Sequence, residues 1–328
     1  MTEFFYRHPK HAAFKTENRM AEKVVVTGGS GRAGEYIIAE FAAAGYDVYN
    51  VDSVPPRPGS PSNSAQWWDV DVTNFGEVVN ALTGADAVVH MAAIPAPNKD
   101  AEHKLFRINM LSNWNVLEAA EIHGIERICM ASSINAVGAG WGQKVYTPEY
   151  YPVDENHPTR VEDAYSQSKW LGEEMASAFV RRREGKVQIA NMRFHALWDP
   201  AHGKSHLESG DKTSVTGRAA GGFWSWVGRH DAARACRLTI EKEFGGAEAF
   251  FINATDTVLD IPTMDAIKQV HPDVKLREPI EGFRSPLSVT KAEKLLGWVP
   301  VESWREGTLR DPEPNDVEPQ PYQAQWTR

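Results

Sequence analysis

In the run Tyr165-Ser-Gln-Ser-Lys169 a phenol and an amine stand four residues apart. On a helix that spacing puts both side chains on one face, one turn apart. A tyrosine at its ordinary pKa of ~10 is a poor base at neutral pH. A neighbouring ammonium favours the phenolate, so the pair can take the proton of an alcohol. A lone Y-x-x-x-K arises by chance in many helices, and the pair needs company to carry weight. Met130-Ala-Ser132-Ser133 supplies some. It ends a run of buried-strand character, where a serine hydroxyl could hold the substrate oxygen opposite the tyrosine.

A cofactor signature stands nearer the start, in Thr27-Gly28-Gly29-Ser30-Gly31-Arg32-Ala33-Gly34. Gly28 permits a tight turn, Gly31 lets backbone approach a pyrophosphate, and Gly34 lets a helix pack on a sheet. Arg32 and Ala33 fall where the helix N-terminus would turn its N–H groups and positive dipole toward phosphates. Asp52 ends the next strand-like run and is placed to accept hydrogen bonds from ribose hydroxyls. That carboxylate would repel a 2′-phosphate, which favours NAD over NADP. Arg57 is close enough in sequence to leave NADP open. With a nicotinamide cofactor, proton loss to Tyr165 would accompany hydride transfer from the substrate carbon.

These residues need a frame, and the chain supplies one. Lys23-Val-Val-Val-Thr27 is β-branched without polar alternation, as a strand buried on both faces reads. A helix over 35–44 is stopped by Gly45, a second strand covers 47–52, and the Pro/Ser/Gly-rich 55–64 is loop. Helices are expected over 75–82, 101–123 and 162–183, and strands over 86–91, 127–132 and 187–192. This alternation implies right-handed βαβ units in an α/β fold, a Rossmann-type doubly wound parallel sheet. Past Arg193 the rhythm breaks. Residues 199–222 read as loop, followed by a helix over 231–242, a strand over 250–253 and short helices near Thr263 and Thr290. We therefore divide the chain into a polar leader (1–21), a dinucleotide-binding domain (22–195), a small C-terminal substrate lobe interleaved with the last sheet elements (196–310) and an acidic, Pro-rich, extended tail (311–328).

Composition narrows the partners. Net charge is −9, from 35 Lys plus Arg against 44 Asp plus Glu, which argues against a nucleic-acid surface. The basic run Arg181-Arg182-Arg183 reads as the last turn of a helix whose first half carries Glu173 and Glu174. Cys129 and Cys236 have no CxxC spacing, so a reducing, cytoplasmic setting is expected. The leader lacks an apolar signal core, and no stretch approaches the ~20 apolar residues of a membrane helix. His202 and His206 lie in a Gly- and Ser-rich segment without Cys or paired acids, so no metal is expected. Trp224 and Trp226 suit either a pocket lining or plain packing, and Trp67-Trp68 reads as edge packing near the adenine side.

Taken together, these motifs resemble the extended short-chain dehydrogenases, the NAD-dependent epimerase/dehydratase family, over roughly residues 22–305. T-G-x-x-G-x-x-G is met by Gly28, Gly31 and Gly34, the ribose acid by Asp52, and the adenine-contacting pair by Asp71-Val72. His90-Met91-Ala92-Ala93 matches the segment lining the cofactor after the fourth strand, and Asn109 a helix position in that family. Counting back from Gly138 in S-S-x-x-x-V-x-G assigns the catalytic serine to Ser133 rather than Ser132. Tyr165 and Lys169 map directly. Arg193-Phe-His195 resembles the strand end that passes the nicotinamide, His230-Asp231-Ala-Ala-Arg234 a late helix start, and Leu296-Gly-Trp-Val-Pro300 the family's ending.

One departure from the family pattern guides the substrate reading. Nucleotide-sugar epimerases carry a long insertion after the R-x-x segment, and here the stretch from Arg193 to His230 is short. That layout is more like uronate dehydrogenases, which implies a small sugar, uronic acid or related polyol without a nucleotide handle. Asn135 and Arg218 are the candidate substrate contacts beside Ser133 and Tyr165. The nearest rival is a sugar epimerase, in which the same Tyr and Lys drive a transient oxidation. Dehydration is disfavoured because Ser133-Ile134-Asn135 lacks the family's acid, a steroid or aromatic-alcohol reductase would need a more apolar lobe, and a non-catalytic dinucleotide sensor would usually lose the Tyr or Lys. The resemblance also implies a homodimer built from the two long helices.

Overall fold

A computed structural model describes residues 22–142, 146–209 and 214–311; the leader and all of the tail beyond Asp311 lie outside the described residues. The strands are β1 (Lys23–Thr27), β2 (Asp47–Val51), β3 (Gln66–Trp68), β4 (Ala87–His90), β5 (Arg127–Ser133), β6 (Tyr150–Tyr151), β7 (Gln188–Phe194), β8 (Leu197–Trp198), β9 (Val227–Gly228), β10 (Ala247–Ile252) and β11 (Lys275–Leu276). The helices are α1 (Gly34–Ala43), α2 (Phe75–Ala81), α3 (Glu102–His123), α4 (Ala164–Arg182), α5 (Pro200–Ser209), α6 (Arg218–Gly221), α7 (Arg229–Glu241), α8 (Thr263–Val270) and α9 (Thr290–Leu296).

Seven strands form one parallel sheet in the order β10-β7-β5-β4-β1-β2-β3. The chain runs outward one way from β1 through β2 and β3, and the other way through β4, β5, β7 and β10. The β1/β4 boundary is therefore the switch point, and loops at the carboxyl ends of these strands diverge to leave a crevice. Val24, Val25 and Val26 are wholly buried because both sheet faces are covered. On one face α1, α7 and α9 pack Ile37, Phe41, Ala233 and Leu296 against the sheet. On the other, α2, α3 and α4 contribute Val78, Val116, Ala120 and Phe179. A separate core of Tyr151, Phe223, Trp224, Leu259 and Ile267 holds the lobe together.

Local chemistry sets the helix starts that matter for the site. Asp163 caps α4, its Oδ1 accepting the Ser166 N–H at 2.9 Å. The cap fixes the first turn, where Tyr165 stands. Asn74 caps α2, its Oδ1 accepting the Glu77 N–H while its Nδ2 donates to the Glu77 carboxylate.

The expected alternation of strands and helices holds through β7, with boundaries moved by one or two residues. One reading changes. The polar stretch 199–222 is not loop throughout, since α5 and α6 occupy much of it. Gly203 on α5 is a packing residue: a Cβ there would lie 2.4 Å from Leu309. His206 rests edge-on against Trp304, ring centroids 4.6 Å apart, so the polar composition belongs to the helix's outer face. Trp67-Trp68 forms edge strand β3, and Trp67 donates from its ring nitrogen to the Asp52 carbonyl at 3.0 Å. Finally, β10 joins the main sheet beside β7, so the residues after 196 serve both sheet and lobe.

Asp231 on α7 ties the C-terminal segment to this frame. Its Oδ2 accepts the backbone N–H groups of Val301 (2.7 Å) and Glu302 (2.8 Å), while its carbonyl accepts the Trp298 indole at 3.0 Å. Asp231→Ala takes the acceptor from two backbone donors, one buried and one part-buried. We expect it to cost about 3 kcal/mol or more, at ~1.5–3 kcal/mol per charge-assisted bond. Thermal denaturation reads this directly, and an unchanged melting temperature would mean that the segment is held by other contacts.

Candidate active site

The carboxyl ends of β1, β2, β4, β5 and β7 open onto one cleft of about 1370 Å³. Gly28, Gly31, Arg32, Ala33 and Gly34 line it from the first turn, and Asp52, Asp71 and Val72 from the next strand ends. Met91, Ala92 and Ala93 contribute the loop after β4. Ser133, Asn135, Tyr165, Lys169 and His195 face the same space, joined by Arg218 from α6.

The turn after β1 is built for close approach. Gly28 has φ +69°, and a Cβ there would meet the Ala92 backbone nitrogen at 2.6 Å. Gly34 begins α1 against the turn itself, since a Cβ would lie 2.2 Å from the Gly28 carbonyl oxygen. The loops after β1 and β4 thus touch backbone to backbone, and α1 starts immediately beside them. Two backbone donors hold the Asp52 carboxylate: Oδ2 accepts the Ser30 N–H and Oδ1 the Val54 N–H, each at 3.1 Å. Burial raises its pKa, and these backbone donors oppose the rise. Arg57, whose side chain is largely exposed, is paired with Glu35 at 2.7 Å.

At the other end of the cleft, Tyr165 is buried on the first turn of α4. Burial pushes its pKa up to about 12, opposed by a hydrogen bond with Ser133. Lys169 donates from Nζ to the Ala131 carbonyl at 2.7 Å, with Nζ 5.6 Å from the Tyr165 ring centre. Burial lowers its pKa to about 8, opposed by the Glu173 carboxylate. The lowering of the tyrosine pKa expected from the sequence is therefore outweighed by desolvation in this geometry. Ser133 Oγ donates to Asn135 Oδ1 at 2.7 Å, and Asn135 in turn donates to the Ala139 carbonyl at 2.6 Å. That chain fixes the serine hydroxyl at the end of β5.

Two residues assigned to the cofactor stand elsewhere. Arg193 is buried in a bidentate pair with Glu173, at 3.0 and 2.8 Å, and does not line the cleft. A guanidinium in the interior requires a paired carboxylate, and that pairing turns it away. Asn109 clamps Ile94 through both its N–H (2.8 Å) and its carbonyl (3.2 Å), supporting the loop after β4 from behind. His195 does face the cleft. It accepts from the Ala196 N–H and bonds the Gly222 carbonyl, each at 2.6 Å, and burial lowers its pKa to about 4, so the ring is neutral.

The sequence reading missed Trp141 and Ser225, which also line the cleft and follow no recognisable spacing. Trp224 resolves as both alternatives at once, fully buried yet bordering the cleft. Phe223 and Trp224 hold φ of 58° and 51°, left-handed backbone that costs non-glycine residues about 1–2 kcal/mol each. Among the described residues, no cluster of three or more His, Cys, Asp or Glu side chains could hold a metal ion. No helix among them is long and apolar enough to cross a membrane.

The NAD dependent epimerase/dehydratase family model matches residues 24–218. Human UDP-glucose 4-epimerase is 29% identical over 175 residues, 48% of each chain. The chain spans about half the length of the first curated relatives it matches. A Thermotoga maritima UDP-glucose 4-epimerase solved with UDP-glucose superposes with TM-score 0.66 at 20% identity, covering 87% of this chain and 96% of that one. A mutated uronate dehydrogenase superposes with TM-score 0.61 at 20% identity, covering 90% of both. At such identities the two structures speak for the fold. The family match extends from β1 to the first residue of α6, across the sheet and the cleft it carries, and this chain belongs to the NAD dependent epimerase/dehydratase family.

Proposed function

We propose that the protein is a net dehydrogenase that uses NAD to oxidise a hydroxyl of a small sugar, uronic acid or related polyol. The observation that carries the substrate end of this reading is Arg218. Its guanidinium carbon lies 3.2 Å from the centre of the Trp141 ring, in the same cleft as Ser133 and Tyr165. Stacking on an indole holds the planar fork in one orientation, suited to a carboxylate. Asn135, Trp141 and Arg218 make a compact polar and aromatic end for an unsubstituted sugar acid.

The cradle fits a dinucleotide. Gly28 leaves no room for a side chain between two loops, α1 aims its N-terminus there, and Asp52 offers a carboxylate for ribose hydroxyls. When bound, NAD supplies the hydride acceptor. The chain's own residues would manage the substrate hydroxyl. Ser133 holds its oxygen and Tyr165 takes its proton, with the Lys169 ammonium on the same helix face to favour the phenolate. A second reading, epimerisation with the cofactor retained, is favoured by the likeness to human UDP-glucose 4-epimerase.

The long helices suit a second copy. Leu111, Trp114 and Ile122 on α3 are exposed, and we propose a homodimer packed through α3 and α4. Sedimentation at the mass of one chain would refute it.

Two variants test the chemistry. Tyr165→Phe should bind NAD like wild type, read by protein fluorescence, and lose about 10²-fold or more in turnover. Turnover near wild type would remove Tyr165 from the role of base. Arg218→Met should raise KM for sugar acids about 10-fold or more, the worth of a charge-assisted bond, and leave neutral aldoses unaffected. Equal losses on both classes would assign Arg218 to packing.

A further inference from the structure

Glu173 is the one buried carboxylate on the helix face that bears Tyr165 and Lys169, one turn beyond the lysine. Two strands converge on it. Arg193 from β7 binds it through Nε (3.0 Å to Oε1) and Nη2 (2.8 Å to Oε2). Ser132 from β5 donates to Oε1 at 2.5 Å. Ser132 stands between Ala131, whose carbonyl receives the Lys169 ammonium at 2.7 Å, and Ser133, whose hydroxyl lines the cleft.

We propose that Glu173 is a positioning residue for Lys169: clamped by Arg193 and Ser132, it fixes the end of β5 and sets its negative charge beneath the lysine, so that the ammonium stays charged and in place. The inference rests on the reading that Tyr165 and Lys169 carry the chemistry. Every feature of the geometry serves that end. A fork from Arg193 gives the carboxylate one orientation, and the Ser132 bond joins that orientation to the strand that receives the ammonium.

The titratable groups around Lys169 are few. Tyr165 and Glu173 share its helix, and His90 faces it from β4, with Arg193 behind Glu173 on β7. His90 is fully buried between Thr27 Oγ1 (2.7 Å) and Asn113 Oδ1 (3.1 Å), and burial lowers its pKa to about 3, so it is neutral. Tyr165 is neutral below its raised pKa. Burial lowers the lysine and Glu173 opposes that fall. Removing the carboxylate must therefore let Lys169 lose its proton at lower pH, because the folded-state pKa of a cation falls when its anion is taken away.

The test is the pH dependence of Lys169 acylation by a small reagent, followed by peptide mass spectrometry, which reads the neutral amine without substrate. Glu173→Gln should move the labelling midpoint of Lys169 down by about one pH unit, with exposed Lys204 unchanged. The alkaline limb of kcat/KM should move by the same amount. Because Glu173→Gln leaves Arg193 unpaired and can prevent folding, Glu173→Gln/Arg193→Gln serves as the second variant. It should show a smaller shift in the same direction, and Glu173→Asp should return the midpoint toward wild type. A wild-type midpoint in both Gln variants would overturn the proposal. Absence of turnover in wild-type protein, with the labelling shift intact, would instead overturn the catalytic reading and leave the positioning role standing.

Discussion

An ammonium drawn out of water must be met by oxygens of the protein, and in this molecule that requirement organises the floor of the cleft. Lys169 finds the Ala131 carbonyl on one side and, one turn along its helix, the Glu173 carboxylate. The carboxylate is itself buried and therefore needs Arg193 and Ser132. Each partner comes from a different element, so α4, β5 and β7 are locked in register by the same set of charges. The parallel sheet brings the carboxyl ends of β5 and β7 together at one edge, beside α4.

That edge also explains how two remote parts of the sequence share one site. The dinucleotide cradle is formed by backbone, where Gly28 and the loop after β4 touch. The end proposed to handle the proton is formed by side chains on α4 and β5. Both depend on β1, β4 and β5 being neighbours. The lobe adds Arg218 and Trp224, the latter in a left-handed backbone beside Phe223. Strain of that kind persists where surrounding packing over-determines it. Here Trp224 is pinned by a bond from its indole to the Val215 carbonyl at 3.0 Å and by burial in the lobe core.

Much of this was legible in the sequence, and for physical reasons. Strands buried on both faces, such as β1, announce themselves as unbroken β-branched runs. The glycine turn and the Tyr165–Lys169 spacing are local, so chain order is enough to read them. What stayed hidden was set by tertiary contact. Arg193 sits at the strand end where a cofactor contact was expected, yet its charge is claimed by Glu173 twenty residues earlier. Asn109 supports Ile94 from behind the cleft. The polar stretch around Gly203 reads as loop until Leu309 and Trp304 are seen to pack against it. Tyr165 likewise looks like a base eased by its lysine, whereas burial, invisible in one dimension, dominates its ionisation.

The central claim is that a hydride leaves the substrate for good. The direct measurement uses a free sugar acid carrying deuterium at its oxidised carbon, incubated with the protein and NAD, with the label then located. The account predicts deuterated NADH free in solution, in step with the oxidised sugar. Deuterium retained in an isomerised sugar, with no labelled NADH released, would contradict it and establish epimerisation.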